Sequence, residues 1–305
     1  MSYEYAIIVK NKTRLESLIE RFNTVAQAQF YIERQGGNFA DYELEHKNFH
    51  RALNDLQTTL SSEIKNKTID RSFLPSFLFA DSHLIVVIGQ DGLVANTAKY
   101  ANGCPIIAVN PDRDRYDGIL LPFNTNNVLG AVRSVLKGQF SSRTVQFAEA
   151  NLNDGQRLLA FNDLFIGSAT HVSARYTISY KSELEEHSSS GLIVSTQAGC
   201  TGWLSSVFNM AFGVVNMFEK NIHPILPKLQ NDELLFAVRE PFKSVKTQAG
   251  IVTGLIKGEN KLIIESLMPT HGVIFSDGVE SDYLQFNSGS IATIGLAKET
   301  ATLVI

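Results

Sequence analysis

Leu84-Ile85-Val86-Val87-Ile88-Gly89-Gln90-Asp91-Gly92-Leu93 runs an unbroken apolar stretch into an aspartate flanked by glycines. The stretch is rich in β-branched residues and shows no polar alternation. That is the pattern of a strand buried on both faces of a parallel sheet. The next residues, Val94-Ala95-Asn96-Thr97-Ala98-Lys99-Tyr100, read as the opening of a helix. A glycine-rich turn from strand to helix aims backbone N–H groups and the positive end of the helix dipole at one spot, which suits a phosphate. Asp91 puts a carboxylate there instead. An anion in that place repels a bare phosphate and points to a metal contact or a proton acceptor.

Outward from this turn, the first half of the chain alternates strands and helices. Tyr5-Ala6-Ile7-Ile8-Val9-Lys10 reads as a first strand. Thr13 with Glu16 three residues later forms a capping-box pattern, and Leu15, Leu18, Ile19 and Phe22 then fall at helical spacing. A further helix is expected around Phe49, Leu53, Leu56 and Leu60, and another buried strand over Pro105-Ile106-Ile107-Ala108-Val109-Asn110. This order indicates a parallel α/β layer structure.

The character changes after about residue 145. Short apolar or alternating runs recur: Leu164-Phe165-Ile166, Tyr176-Thr177-Ile178-Ser179-Tyr180, Leu192-Ile193-Val194, Ile251-Val252-Thr253, Leu262-Ile263-Ile264 and Val273-Ile274-Phe275. One helix, Thr201 to about Glu219, interrupts them. The expected organisation is an α/β nucleotide-binding domain with a parallel sheet over 1–145 and a mostly β dinucleotide-binding domain over 146–305, with 124–156 as the crossing region.

Composition sets outer limits. Apolar residues make up 44% of the 305 and charged residues 19%, an ordinary globular balance. A net charge of −4 without any basic stripe argues against nucleic acid as a partner. No apolar stretch approaches the ~20 residues that span a bilayer, and the first residues lack the pattern of a secretory signal. Two cysteines, Cys104 and Cys200, make neither a zinc site nor a disulfide framework. A cytoplasmic protein with reduced thiols is expected, with no membrane contact.

Two later segments carry polar residues in suggestive places. In Phe161-Asn162-Asp163-Leu164, an amide and a carboxylate stand beside a strand. Together they suit a ribose or similar diol, because the amide donates and accepts while the carboxylate takes a pair of hydroxyls. An Asx turn closing a loop is the competing reading. The second segment runs from Ser188 to Trp203: Ser-Ser-Ser-Gly-Leu-Ile-Val-Ser-Thr-Gln-Ala-Gly-Cys-Thr-Gly-Trp. Small hydroxyl residues and glycines there follow a strand and precede a helix, offering backbone groups to a polar ligand. A serine-rich loop and helix cap explains Ser188 to Ser190 equally well.

Other candidates are scattered. His171, His187, His223 and His271 show no metal-ligand spacing, and no protein metal site is expected from them. His187 follows Glu183-Leu184-Glu185-Glu186, which reads as a solvated loop or hairpin tip. Arg113 and Arg115 beside Asp112 and Asp114 suit either phosphate contacts or a self-neutralising surface loop.

The order Gly-Gln-Asp-Gly, then Asn-Asp, then Ser-Gly-Leu-Ile-Val-Ser-Thr-x-x-Gly-x-Thr-x-Trp resembles the NAD kinase superfamily over about residues 80–305. That family carries Gly-Gly-Asp-Gly-Thr, Asn-Glu and Thr-x-x-Gly-Ser-x-Ala-aromatic in the same order. Phe275-Ser276-Asp277-Gly278 resembles an Asp-Gly turn of its closing strands. Ser189-Ser190-Gly191-Leu192 with Trp203, and Val109-Asn110-Pro111-Asp112 with Arg113 and Arg115, are most similar to its mitochondrial-type branch. The resemblance implies phosphoryl transfer from Mg2+-ATP to the ribose 2′-hydroxyl of NAD(H). It implies that Asp91 is the catalytic proton acceptor and that Gly89, Gln90 and Gly92 form the loop around it. Asn162 and Asp163 would hold the dinucleotide, and Ser195, Thr196, Gly199 and Thr201 would help bind the nucleotides. A homo-oligomer is also implied.

The chain departs from the family pattern at identifiable places. Gln90 stands for a glycine and Leu93 for a threonine, Asp163 shortens a glutamate, Ser190 stands where many members have aspartate, and Cys200 replaces a serine. The chain also stops after its last expected strand, where many relatives continue. These changes keep two alternatives open: a dinucleotide-binding regulatory protein without turnover, and a kinase of another hydroxyl substrate, a lipid or a sugar.

Overall fold

The structure, a computed structural model, describes residues 3–219 and 225–305, so Met1, Ser2 and His223 lie outside the described residues. It divides into two compact units, Met1–Thr144 with Ala301–Ile305, and Val145–Thr300.

The first unit is a parallel sheet. Its strands are β1 (Tyr5–Lys10), β2 (Lys65–Asp70), β3 (His83–Ile88) and β4 (Pro105–Val109), in the order β2-β1-β3-β4. Thr302 and Leu303 add in parallel beside Pro105 and Ile106. Every residue of the expected apolar run Leu84–Ile88 is fully buried, which is why it tolerates no polar alternation. Helices α1 (Arg14–Phe22), α2 (Val25–Arg34), α3 (Phe39–Ser61), α4 (Asp91–Ala98) and α5 (Val128–Leu136) complete the unit. Thr13 and Glu16 form the expected capping box. Phe49, Leu53, Leu56 and Leu60 of α3 bury against Ile8, Val86, Ile107 and the apolar side of α5. Strand β2 and helices α2 and α5 are absent from the sequence reading, α5 lying within the stretch taken as the crossing region. Strand β2 is polar except for Ile69, as suits an edge, and α2 has a thin apolar stripe of Ala28 and Ile32 that packs with Leu15 and Phe39.

The second unit is a sandwich of two sheets. Its first-sheet strands are β5 (Ser142–Leu152), β6 (Arg157–Ala160), β8 (Ala174–Tyr180), β9 (Glu183–Ser189), β13 (Leu262–Ser266) and the leading part of β16 (Ile291–Val304). The second sheet runs β12 (Thr253–Ile256), β11 (Leu234–Val238), β10 (Leu192–Ser195), β7 (Asp163–Ser168), β14 (Gly272–Ser276) and β15 (Val279–Gln285). Strand alternation decides what each face buries. Leu164, Ile166, Leu192, Val194, Phe236 and Ile274 point into the core with Tyr176, Ile178 and Ile264. Phe165, Ile193, Ala237 and Val273 face the other way and are covered by α6 (Trp203–Val215) through Leu204, Val207 and Phe208. The expected mostly β second half is therefore present.

Two local expectations need correction. His187 is neither in a loop nor solvated: it lies in β9, fully buried, with Nε2 2.8 Å from Glu185 Oε2 and its ring beside Tyr176. Of the run before it, Glu183, Leu184 and Glu186 are exposed, the first two beside the β8–β9 turn. The strand expected at Ile251 begins two residues later, because Glu185 takes the N–H groups of Gly250 and Ile251 before the ladder starts. Among the described residues no helix is long and apolar enough to cross a membrane. Cys104 and Cys200 are free thiols.

Candidate functional site

In the first unit the decisive turn is built as expected, from the end of β3 into α4. Gln90 is the N-cap residue, with no side-chain cap bond, and Asp91 is the first helical residue. The carboxylate of Asp91 is already engaged. Oδ1 accepts the Leu120 N–H at 2.8 Å and Oδ2 the Ile119 N–H at 3.2 Å. Asp91 therefore anchors the loop that begins at Gly118, where φ is +63° and an added Cβ would lie 2.6 Å from Asn110 Nδ2. Each carboxylate oxygen keeps a further lone pair, so the group can still accept a hydroxyl proton. Asp91 is half-buried and Gly92 exposed, which leaves the turn accessible.

Leu93 is buried, and its methyl groups lie against Gly89, where an added Cβ would come within 3.0 Å of Leu93 Cδ2. Its side chain thus works in packing. A hydroxyl is lost at that position, but the fold of the turn is kept. Gln90 is exposed and hydrogen-bonds the Tyr116 hydroxyl, whose own pKa is raised chiefly by burial. The Asn110–Arg115 segment is tied down rather than held open for phosphates. Asp112 accepts from Asn48, Arg113 donates to the Pro122 carbonyl at 3.0 Å, and Arg115 pairs with Glu45 at 3.7 Å.

In the second unit, Asn162, Asp163, Ser195, Thr196 and Gly199 converge at the start of β7 and the end of β10. The backbone of this corner is fixed from two sides. Asp277, in the β14–β15 turn, accepts the N–H groups of Phe161 at 3.0 Å, Asn162 at 2.6 Å and Asp163 at 3.3 Å. Its own N–H donates to the Asp163 carbonyl at 3.0 Å. From the other side, Thr196 Oγ1 donates to the Phe161 carbonyl at 2.6 Å, and the Thr196 N–H to the Asn162 carbonyl at 2.9 Å. Ser195 Oγ donates to the Thr196 carbonyl at 3.2 Å. Gly199 packs directly on this corner, where an added Cβ would collide with the Asn162 carbonyl. Thr201 is exposed at the entry to α6, beyond this knot.

The two side chains of the Asn-Asp pair stay out of the network. Neither the Asn162 amide nor the Asp163 carboxyl makes a hydrogen bond within the protein among the described residues. An Asx turn is thus not what holds this corner; Asp277 does that. Burial, and then the nearby Asp277 charge, push the Asp163 carboxyl up to about 7. A buried carboxyl without a hydroxyl or N–H partner is poised to gain one from a ligand.

The same unit holds a cavity of about 750 Å3, within the range typical of small-molecule sites. Trp203, Phe165 and Phe275 form one aromatic wall, with Phe165 parallel to Trp203 at 5.6 Å and 4.8 Å from Phe275. The Arg239 guanidinium lies 5.3 Å from the Trp203 ring centroid. Ser190 and His271 also face this cavity. Of its lining, Ser190 and Trp203 lay within the segment singled out from sequence. Arg239, His271 and Phe275 were missed as site residues, because Arg239 follows β11 while the other two lie at β14, and they share no linear motif. Asp277 was legible only as a turn residue.

No family model matches the chain. Its sequence is 27% identical to the NAD kinase of Chlorobaculum tepidum over 145 residues, 47% of this chain and 49% of that protein. It is 30% identical to the NAD kinase of Heliobacterium modesticaldum over 128 residues, 39% of this chain and 44% of that protein. The chain thus spans about half the length of the curated relatives it matches. Among solved structures, yeast NADH kinase in complex with NADH is similar over 100% of this chain and 84% of its own, with a TM-score of 0.62 at 13% identity. An Archaeoglobus fulgidus NAD kinase in complex with ATP covers 99% of this chain and 93% of its own, with a TM-score of 0.56 at 15% identity. The fold is that of the NAD kinases, and the sequence is similar to theirs over slightly less than half of the chain.

Proposed function

We propose that the chain transfers a phosphoryl group from ATP to the ribose 2′-hydroxyl of NAD or NADH. The observation that carries this reading is the corner at Asn162 and Asp163. Its backbone is fully anchored by Asp277 and Thr196, while its two polar side chains have no protein partner. Rigid main chain with free diol-binding groups is what a preorganised ribose site requires. The relatives support the substrate class, since one solved neighbour holds NADH and another ATP.

In this reading Asp91 orients the 2′-hydroxyl and takes its proton, and the turn of Gly89, Gln90 and Gly92 meets the nucleotide. Ser195, Thr196, Gly199 and Thr201 shape the corner that receives the dinucleotide. The aromatic wall of Trp203 and Phe165, with Arg239 beside it, adds a flat surface and a cation in the same unit. Phosphoryl transfer asks mainly for positioning and charge neutralisation. Mg2+ would arrive on the ATP phosphates, and Asp91 is the carboxylate of this turn with lone pairs left to meet it. The first unit serves as the nucleotide-binding domain and the second as the dinucleotide-binding domain. Ser190 and Trp203 favour the mitochondrial-type branch. Exposed Met210, Val214, Met217 and Phe218 at the end of α6 favour a homo-oligomer, and the free thiols favour the cytoplasm.

A binding protein without turnover draws on one observation, the double use of Asp91 as loop anchor. None of the relatives above is a lipid or sugar kinase. The test is an assay for NADP and NADPH with Mg2+-ATP, run beside calorimetry with NAD and NADH. Turnover in the parent, abolished in Asp91→Asn while NAD affinity stays within about twofold, fits the proposal. Binding without turnover selects the regulatory reading, and absence of both binding and turnover overturns it.

A further inference from the structure

Away from these residues, the first unit gathers three metal-ligating side chains at one point. His46 and His50 stand four residues apart on α3, a spacing that puts both imidazoles on one face of the helix. Their ring centroids are 4.3 Å apart. Glu16, in the first turn of α1, reaches the same place, with Oε1 3.0 Å from His50 Nε2. One ligand atom from each of the three lies within 4.8 Å of the others, and all three residues are half-buried. The sequence signal is His46-x-x-x-His50, whose carboxylate partner lies thirty residues and more away.

We propose that Glu16, His46 and His50 bind a divalent late-transition-metal ion of the zinc type. Two imidazoles and one carboxylate form a donor set that zinc takes from proteins, with a fourth position left to water. Tetrahedral bonds of ~2.0–2.1 Å require donor atoms ~3.3 Å apart. The Glu16–His50 pair, at 3.0 Å, is near that separation, and a ligand atom of His46 lies within 4.8 Å of both.

Outer contacts hold the donors in place, as they do in established metal sites. Thr13 Oγ1 lies 2.9 Å from His46 Nδ1, which orients the ring. Glu16 Oε2 accepts the Thr13 N–H at 2.7 Å, which fixes the carboxylate while Oε1 points to His50. Nearby charges are committed elsewhere. Lys10 faces Asp70 at 3.6 Å, and Glu45 is held by Arg14 and Arg115. An ion here would clamp the start of α1 to α3, whichever substrate the chain acts on.

The full chain, stripped by a chelator, is titrated with Zn2+ and then with Co2+ as an optical probe. One equivalent is expected, with a tetrahedral Co2+ spectrum. The equivalent is lost in the double variant His46→Gln/His50→Gln and kept in His171→Gln. Glu16→Gln retains a capping-box residue yet weakens Zn2+ binding by about tenfold or more. If the double variant does not fold, Glu16→Gln decides alone. Zn2+ affinity unchanged in Glu16→Gln, or a parent that takes up no equivalent, overturns the proposal.

Discussion

The two polar clusters assigned to phosphotransfer are built in opposite ways. In the first unit the side chain proposed to take the proton, Asp91, is also structural, since both its oxygens hold the loop at Ile119 and Leu120. In the second unit those jobs are divided: Asp277 and Thr196 hold the corner, and Asn162 and Asp163 are left free. Division of labour makes the second cluster the more separable by mutation. There, scaffold and ligand contacts can be removed one at a time.

The largest effect should come from striking that scaffold. Asp277→Ala strips the acceptor from three consecutive backbone N–H groups, and a loss of about 2–4 kcal/mol in denaturant unfolding is expected, with NAD binding abolished. Retained affinity would show that the corner does not need its anchor. Gly199→Ala drives a Cβ into the Asn162 carbonyl, and about 2 kcal/mol of destabilisation with at least tenfold weaker NAD binding should follow. The same readouts apply.

Asp163 tests the ligand side of the division. Its carboxyl, pushed up to about 7 by burial and Asp277, contributes stability below pH ~4 that is lost as pH rises through about 7. Ribose hydroxyls favour the ionised form. NAD affinity should therefore climb between pH 5 and 7, by up to tenfold per unit, and level off above. Asp163→Asn should bind more weakly above pH 7 and show a flat profile. A slope that persists in this variant assigns the proton elsewhere. The mildest effect is expected in the first unit from Gly118→Ala, which asks a positive φ of a residue with a Cβ. A cost of about 1–2 kcal/mol and a lower turnover with unchanged NAD affinity are expected, measured by unfolding and steady-state kinetics. A change in affinity as large as that of Gly199→Ala would erase the contrast between the clusters.

Periodicity made β1, α1, α3, β3 and β4 readable, because each buries a regular apolar face. It could not reveal β2, which pairs with β1 through its backbone and carries almost no apolar side chains. Nor could it reveal that Ser188 and Ser189 lie buried in β9, where Ser189 meets the Tyr176 hydroxyl at 2.8 Å. Polar residues in a buried strand look like a loop until their partners, distant in sequence, are known. The same limit hid Asp277 and Arg239, whereas Asn162, Asp163, Thr196 and Gly199 stood out because two short segments carried them.

The knot around Gly199 bears on how far this motif can drift. Its joints are main-chain carbonyls, one threonine hydroxyl and the bare α-carbon of Gly199. At position 200 a thiol already directs itself at the Thr196 carbonyl, 3.4 Å away, where a serine hydroxyl would do the same. Neighbouring side chains are therefore free to be exchanged over evolutionary time without moving the corner they surround. A motif scan that demands each consensus letter will undercount such proteins. A scan that asks only for the threonine, the glycine and a distant turn aspartate should recover them.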